Sequence, residues 1–133
     1  MEVAAGGGTD LRVVIADDHG RRIETIQEFL GVTTNNQAEY RALILGLRAA
    51  ARHHPESVTV TMDSELVVKQ MTGQYRVKHP EIVPLYQEAV EAASQLPEVT
   101  FRHVERARNA EADRLANLAI EGRMIRGRGA LSD

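Results

Sequence analysis

Hydrophobic and polar residues alternate in some segments of the chain and recur at helical spacing in others. Residues 57–62, SVTVTM, alternate apolar side chains with threonine, which is the pattern of a strand with one buried face. Residues 38–51 place apolar side chains three or four positions apart, so one face of a helix is apolar there. These two segments predict a strand and a helix that pack against a common core.

Weaker patterns predict the remaining elements. Further strands are predicted over residues 11–16, 21–31 and 99–104, and further helices over residues 65–71, 82–95 and 109–121. The turn sequence Asp18-His19-Gly20 makes the first two strands an antiparallel hairpin. Gly73 ends a helix, and residues 74–81 form a basic loop. Strands followed by interspersed helices and strands are typical of an α/β layer fold.

Composition narrows the class of protein. The chain has 133 residues, 43% of them apolar, which suits one domain with one core. It has no cysteine, and no apolar run is long enough for a membrane span. Without a secretory leader pattern, we expect a cytoplasmic protein with no membrane contact. The net charge is −3, so binding to nucleic acid would need a local basic patch or metal ions that offset the acids.

Three carboxylates occupy positions that favour chemistry. Glu39 lies near the start of a predicted helix, Asp63 follows a predicted strand, and Asp113 lies in the first turns of the last predicted helix. Carboxyl ends of strands form the usual ligand edge of α/β sheets, and helix starts can face the same edge. Clustered carboxylates suit Mg²⁺ or Mn²⁺. Each acid also has an ordinary structural explanation, as a helix cap, a favourable charge on the helix dipole or a solvated side chain.

Three motifs together resemble type 1 ribonuclease H. They are TTNNQAEYRALILGLRAA from residue 33, MDSELVVKQMTGQYRVKHPEI from residue 62, and RARNAEADRLANLA from residue 106. The resemblance runs from about residue 11 to 121 and is strongest to the short bacterial, archaeal and actinobacterial forms. It implies a ribonuclease H-like α/β fold with a five-stranded mixed sheet flanked by helices. We therefore expect a domain over residues 1–121 and a disordered tail over residues 122–133.

The resemblance also implies roles for individual residues. Glu39, Asp63 and Asp113 match catalytic residues of the family that bind two Mg²⁺ or Mn²⁺ ions. Asn35, Asn36 and Gln37 match amides that lie in the minor groove of an RNA–DNA hybrid, where an amide can both donate to and accept from a 2′-hydroxyl. The other expected substrate contacts are Thr34, Ser64 and Asn109. Lys69, Arg106 and Arg108 are expected phosphate contacts, and ordinary solubility charge is their structural alternative. Helix capping is the structural alternative for the asparagines.

The start of the chain departs from the family pattern. The family's first strand ends in an Asp-Gly pair, and our alignment places Ala5 where that aspartate stands. A two-residue turn at Gly8-Thr9 would put Ala5 opposite Arg12, whose guanidinium could then neutralise the acids without metal. Asp10 is an alternative replacement ligand, and its structural alternative is a turn cap.

The expected function follows from the resemblance. We expect a metal-dependent endonuclease that hydrolyses the RNA strand of RNA–DNA hybrids. One alternative is an impaired homologue that binds hybrids or double-stranded RNA without cutting, and a second is a protein-interaction scaffold. We expect the domain to act as a monomer.

Overall fold

The structure is a computed structural model that describes residues 1–7, 10–31 and 33–105. Its strands are β1 (Glu2–Gly6), β2 (Asp10–Ala16), β3 (Arg22–Phe29), β4 (Val58–Met62) and β5 (Val99–His103). Its helices are α1 (Asn35–Arg52), α2 (Glu65–Met71) and α3 (Val83–Ser94). The helix predicted over residues 109–121 and the tail predicted over residues 122–133 lie outside the described residues.

The five strands form one mixed sheet in the order β3-β2-β1-β4-β5. The pairs β1–β2 and β2–β3 are antiparallel, whereas β1–β4 and β4–β5 are parallel. The predicted hairpin and the predicted five-stranded mixed sheet are therefore confirmed. Since β1, β4 and β5 run in the same direction, their carboxyl ends meet at one edge of the sheet, which we call the carboxyl edge.

Helix α1 packs against the sheet because its apolar positions fall on one face. Tyr40, Leu43 and Leu47 are fully buried on this face. Gly46 lets the helix approach the sheet closely, since a Cβ there would lie 2.9 Å from Cγ1 of Val3. The core is aliphatic, as the composition suggests, and extends from α1 over β1, β2 and β4.

Helix α1 begins at Asn35, so the apolar stripe predicted over residues 38–51 follows a polar first turn. Thr34 caps the helix, and the amides that follow it form this first turn. Among the described helices, none combines the length and apolar character that a membrane span requires.

The predicted pairing of Ala5 with Arg12 is wrong by one residue. Ala5 lies opposite Val13, and Gly6 lies opposite Arg12. The side chains of Ala5 and Val13 are both buried against the core. Pairing Arg12 with Ala5 would turn a charged side chain into this core, because a one-residue slip moves every side chain of a strand to the other face.

Candidate active site at the carboxyl edge

Glu39 is held at the carboxyl edge by the backbone of the first strand. The side chain lies inside α1 and is only 6% exposed. Its Oε1 accepts a hydrogen bond of 2.7 Å from the backbone N–H of Gly7, directly after β1. A carboxylate that accepts a backbone N–H in a partly buried site has a fixed orientation. The start of α1 and the end of β1 are thereby joined at the predicted catalytic glutamate.

Gly7 makes this contact possible because it has no side chain. A Cβ at this position would lie 2.3 Å from the carbonyl carbon of Ala38 and 2.7 Å from the backbone nitrogen of Glu39. Both atoms belong to the helix backbone, so neither can rotate out of the way. Only glycine allows the chain to pass so close to α1, and this closeness brings the Gly7 N–H to Glu39.

Asp63 comes from the neighbouring strand at the same edge. It follows β4 directly and is half-buried. The hydroxyl of the next residue, Ser64, accepts a hydrogen bond of 3.3 Å from the backbone N–H of Val67 and so caps α2. Ser64, a predicted substrate contact, therefore has a structural role in the described part of the chain.

The strand register ends just before Asp63. Ala5 pairs with Met62 in the last step of the parallel ladder, and both side chains are buried in the core. Gly6 and Asp63 are the next residues along the two chains. Because side chains alternate between faces along a strand, Gly6 and Arg12, which lies opposite Gly6, belong to the other face, and continued alternation places Asp63 there too. We call Arg12, Gly6 and Asp63 the outer row.

The described residues supply part of a donor set for a divalent cation. Glu39 and Asp63 provide carboxylate oxygens, which suit Mg²⁺ or Mn²⁺. Asp113, the third predicted ligand, lies outside the described residues, and Asp10 is exposed at the start of β2. Within residues 1–7, 10–31 and 33–105, no three His, Cys, Asp or Glu side chains could together hold a metal ion. Gly6 adds no donor to this set.

The amides at the start of α1 divide into two kinds. Gln37 and Thr34 form a capping box. The Thr34 hydroxyl accepts a hydrogen bond from the Gln37 backbone N–H at 3.2 Å. In return, Oε1 of Gln37 accepts a hydrogen bond from the Thr34 backbone N–H at 3.4 Å. The Gln37 side chain also donates to Oε2 of Glu81 at 3.3 Å. Thr34 and Gln37 thus cap the helix, a role that the sequence analysis considered only for the asparagines.

Asn35 and Asn36 differ from these neighbours. Both are exposed in the first turn of α1. The side-chain hydrogen bonds at the start of this helix, within the described residues, involve Thr33, Thr34, Gln37 and Glu81 instead. Capping therefore leaves both asparagine side chains accessible to a ligand.

Lys69 contacts two neighbouring side chains, those of Glu65 and Tyr75. Its Nζ lies 3.1 Å from Oε2 of Glu65 and 5.0 Å from the ring centroid of Tyr75. The hydrogen bond with Glu65 raises the pKa of Lys69, and the same bond lowers the pKa of Glu65. Lys69 thus stays charged at the edge of the exposed basic loop. Arg106, Arg108 and Asn109, the other predicted contacts, lie outside the described residues.

A buried polar pair escaped the sequence analysis. The hydroxyl of Tyr40 donates to Oε1 of Gln70 at 2.6 Å, and both side chains are buried. Burial raises the pKa of the Tyr40 hydroxyl. The bond joins α1, one residue after Glu39, to α2, which follows Asp63. A glutamine on the apolar face of α2, next to Val67 and Val68, was the available signal.

Comparisons with known proteins indicate the family and the fold. The sequence profile of the family described as reverse transcriptase-like matches residues 4–119. A protein of Mycobacterium tuberculosis named bifunctional protein Rv2228c is 45% identical over 109 residues, which cover 82% of this chain and 30% of that protein. The chain thus spans less than a third of the length of that relative.

Two solved structures have the same fold. One is described as the N-terminal RNase H domain of Rv2228c from M. tuberculosis, as a fusion with maltose-binding protein; its TM-score is 0.77 at 40% identity, covering 88% of this chain and 97% of that chain. The other is LC11-RNase H1 in complex with an RNA/DNA hybrid; its TM-score is 0.78 at 34% identity, covering 91% of this chain and 96% of that chain.

Proposed function

Because the chain belongs to the reverse transcriptase-like family, we propose that it hydrolyses the RNA strand of RNA–DNA hybrids. The similar structure of LC11-RNase H1 is described with an RNA/DNA hybrid bound, which supports this substrate. The observation in this chain that carries the proposal is the 2.7 Å bond from Gly7 to Glu39. It fixes a carboxylate at the carboxyl edge, one strand from Asp63.

The chemistry of the edge suits phosphodiester hydrolysis. Ribonuclease H enzymes generally depend on divalent metal ions. In our proposal Glu39, Asp63 and Asp113 hold Mg²⁺ or Mn²⁺. Such an ion, when bound, polarises the phosphodiester and makes water a better nucleophile. Glu39 contributes a carboxylate that needs no reorganisation, because the backbone of Gly7 already orients it.

Substrate recognition is assigned to the start of α1. Asn35 and Asn36 are exposed, and each amide can donate to and accept from the 2′-hydroxyl that distinguishes RNA from DNA. Lys69, Arg106 and Arg108 are proposed phosphate contacts, which give affinity without sequence choice. Thr34, Gln37, Ser64 and Asn109 complete the proposed contact surface, the first three while also capping helices.

The outer row lacks a carboxylate at the end of β1, which should lower the activity of the enzyme. An aspartate at the end of the first strand, as the resemblance implies, needs a position beside Asp63. Gly6 follows the last pair of the parallel ladder, as Asp63 does, whereas Ala5 faces the core and is 1% exposed. A Cβ on Gly6 would meet nothing within 4 Å, so a side chain can start there without a clash at its first atom. We assign the missing carboxylate to Gly6 in place of Ala5.

The experiment is cleavage of a labelled RNA–DNA hybrid in Mg²⁺ and in Mn²⁺. The unmodified protein should cut the RNA strand, and Asp63→Asn should remove the activity. Glu56→Gln, which removes an exposed carboxylate that the account gives no role, is the matched control and should cut normally. Cleavage that persists in Asp63→Asn, or that is absent from all proteins in both metals, would refute the proposal.

The absence of a carboxylate at Gly6 favours a second candidate function, a module that binds hybrids without cutting them. Such a module would bind hybrid equally well in chelator and in Mg²⁺, and its affinity would fall in Asn35→Ala. The proposed enzyme should bind productively only with metal.

We further propose that the domain acts as a monomer in the cytoplasm and that double-stranded RNA is at most a weaker ligand. Sedimentation with and without hybrid tests whether the domain is a monomer. Competition by double-stranded RNA for bound hybrid tests whether that RNA binds more weakly.

A further inference from the structure

The outer row brings a cation and an acid to the same face of the sheet. Arg12 lies directly opposite Gly6 across the antiparallel pair. The parallel ladder ends with the pair Ala5–Met62, and Gly6 and Asp63 are the next residues along the two chains. Neighbouring strands are about 4.8 Å apart, so the Cα atoms of Arg12 and Asp63 are separated by roughly 10 Å. The long side chain of Arg12 can cover most of this distance.

Gly6 leaves the path between them open. A Cβ on Gly6 would have no heavy atom of the described residues within 4 Å, so the space next to Gly6 itself is open. Arg12 is exposed on β2, at the carboxyl edge, whereas its sequence neighbours Leu11 and Val13 are fully buried in the core. Its charge is therefore directed to the face that also carries Asp63.

We propose that Arg12 is a built-in counter-cation of the carboxyl edge and reduces its affinity for divalent metal ions. A guanidinium near the acids offsets part of their negative charge, which a metal ion would otherwise offset. It also repels an incoming divalent cation. The two positions of the row act in the same direction, because Gly6 supplies no metal donor and Arg12 supplies a positive charge.

This inference deepens the proposed function, since it concerns the metal requirement of the same site. It predicts that the carboxyl edge is folded without metal and that Arg12 offsets part of the negative charge of its carboxylates. It also predicts that a higher concentration of Mg²⁺ or Mn²⁺ is needed than the carboxylates alone would require.

The test is calorimetric titration of Mn²⁺ into the full chain at low ionic strength. Arg12→Gln should bind Mn²⁺ roughly tenfold more tightly than the unmodified protein, as expected for removal of one nearby like charge. Arg12→Lys keeps the charge and should bind as the unmodified protein does. Arg21→Gln is the matched control: it removes an exposed arginine from the turn after β2, at the opposite edge, and should change nothing.

A further variant locates the effect. In an Asp63→Asn background, Arg12→Gln should give a smaller gain in Mn²⁺ affinity, because part of the gain comes from freeing the acid of the outer row. Equal Mn²⁺ affinities in Arg12→Gln and Arg21→Gln would overturn the inference, as would a gain that Asp63→Asn leaves undiminished. If Arg12→Gln does not fold, Arg12→Met takes its place, with the same expectation.

The outcome is separable from that of the proposed function. A gain in Mn²⁺ affinity in Arg12→Gln, with no hybrid cleavage by any variant, would support the counter-cation and refute the nuclease. Cleavage by the unmodified protein, with no effect of Arg12→Gln on Mn²⁺ binding, would give the reverse result.

Discussion

Gly6 and Gly7 are consecutive residues at the end of β1, but their surroundings are opposite. Gly7 lies against the backbone of α1, where a Cβ would be 2.3 Å from the carbonyl carbon of Ala38. Gly6 faces the other side of the sheet, where a Cβ would meet nothing within 4 Å. The inner side of the candidate site is therefore closed and fixed, whereas the outer side is open.

The contrast between Gly7 and Gly6 shows that the fold constrains the inner side of the site more tightly than the outer side. On the inner side the backbone orients Glu39, so any change there also disturbs the packing of α1 on the sheet. On the outer side a glycine, a carboxylate or a neighbouring cation can be accommodated without repacking. Activity and metal affinity can therefore vary through the outer row while the fold stays the same.

Gly7→Ala should have the largest effect. Its Cβ would overlap the backbone of α1, and overpacking of this kind costs about 1–3 kcal/mol or more in the free energy of unfolding. It should also displace Glu39 and weaken Mn²⁺ binding. Urea denaturation measures the first effect and calorimetric titration the second.

Gly6→Ala is the matched control for Gly7→Ala. It should be neutral or stabilising by up to about 1 kcal/mol, because alanine loses less conformational freedom than glycine on folding. Equal costs for the two substitutions would contradict the contrast between the closed and open sides.

Tyr40→Phe should be the next most costly change. It would leave Oε1 of Gln70 buried without its donor, at a cost of about 1–3 kcal/mol in the free energy of unfolding. Adding Gln70→Met should recover much of this loss, because replacing both partners by apolar groups can be nearly neutral. If the double variant is as unstable as the sum of both single variants, the bond does not join α1 to α2 as described.

Thr34→Ala should cost about 1 kcal/mol, the usual effect of removing a helix cap. Thermal or urea unfolding measures this cost. The same change should weaken hybrid binding only slightly, since the hydroxyl already accepts the backbone N–H of Gln37. A large loss of hybrid affinity without a loss of stability would show that substrate contact, and not capping, is the main role of Thr34.

Asn35→Ala and Asn36→Ala should leave stability unchanged, because both side chains are exposed and neither supplies the cap. Each should lower the binding free energy for an RNA–DNA hybrid by about 0.5–1.5 kcal/mol, the net value of a typical hydrogen bond. Binding to duplex DNA should not change. Gln87→Ala, which removes an exposed amide on α3, is the control. If it lowers hybrid affinity equally, the asparagines have no specific role in binding the hybrid.

Glu65→Gln should have the smallest effect on stability. Unlike the asparagine variants, it should raise the affinity for hybrid. Without the carboxylate, the charge on Lys69 is no longer offset and becomes available to phosphate. Hybrid affinity at low salt should therefore rise and its salt dependence should steepen. Unchanged affinity would show that Lys69 lies outside the contact surface.

Local patterns predicted much of this fold from sequence. The alternation of SVTVTM matches the buried positions of β4, and the motif starting at Glu65 matches α2 at both ends. The site was predicted through motif resemblance, and the described structure brings Glu39 and Asp63 to the same edge. Their metal-binding role stays a prediction.

Other features depend on packing that a pattern does not encode. The pairing of Arg12 was predicted one residue off, because turn length alone does not show that Gly7 leaves the ladder to contact Glu39. The bond between Tyr40 and Gln70 joins residues 30 positions apart, so only the packing of α1 on α2 reveals it. Likewise, the contrast between Gly6 and Gly7 appears only when the helix lies on the sheet.

The most direct test of this account compares Gly6→Asp with Ala5→Asp in cleavage of an RNA–DNA hybrid in Mg²⁺. Gly6→Asp should fold normally and cut faster than the unmodified protein, because it places a carboxylate beside Asp63 on the open side. Ala5→Asp should lose stability and cut no faster, because it buries a carboxylate in the core. Faster cleavage by Ala5→Asp, with no gain from Gly6→Asp, would contradict the assignment of the outer row.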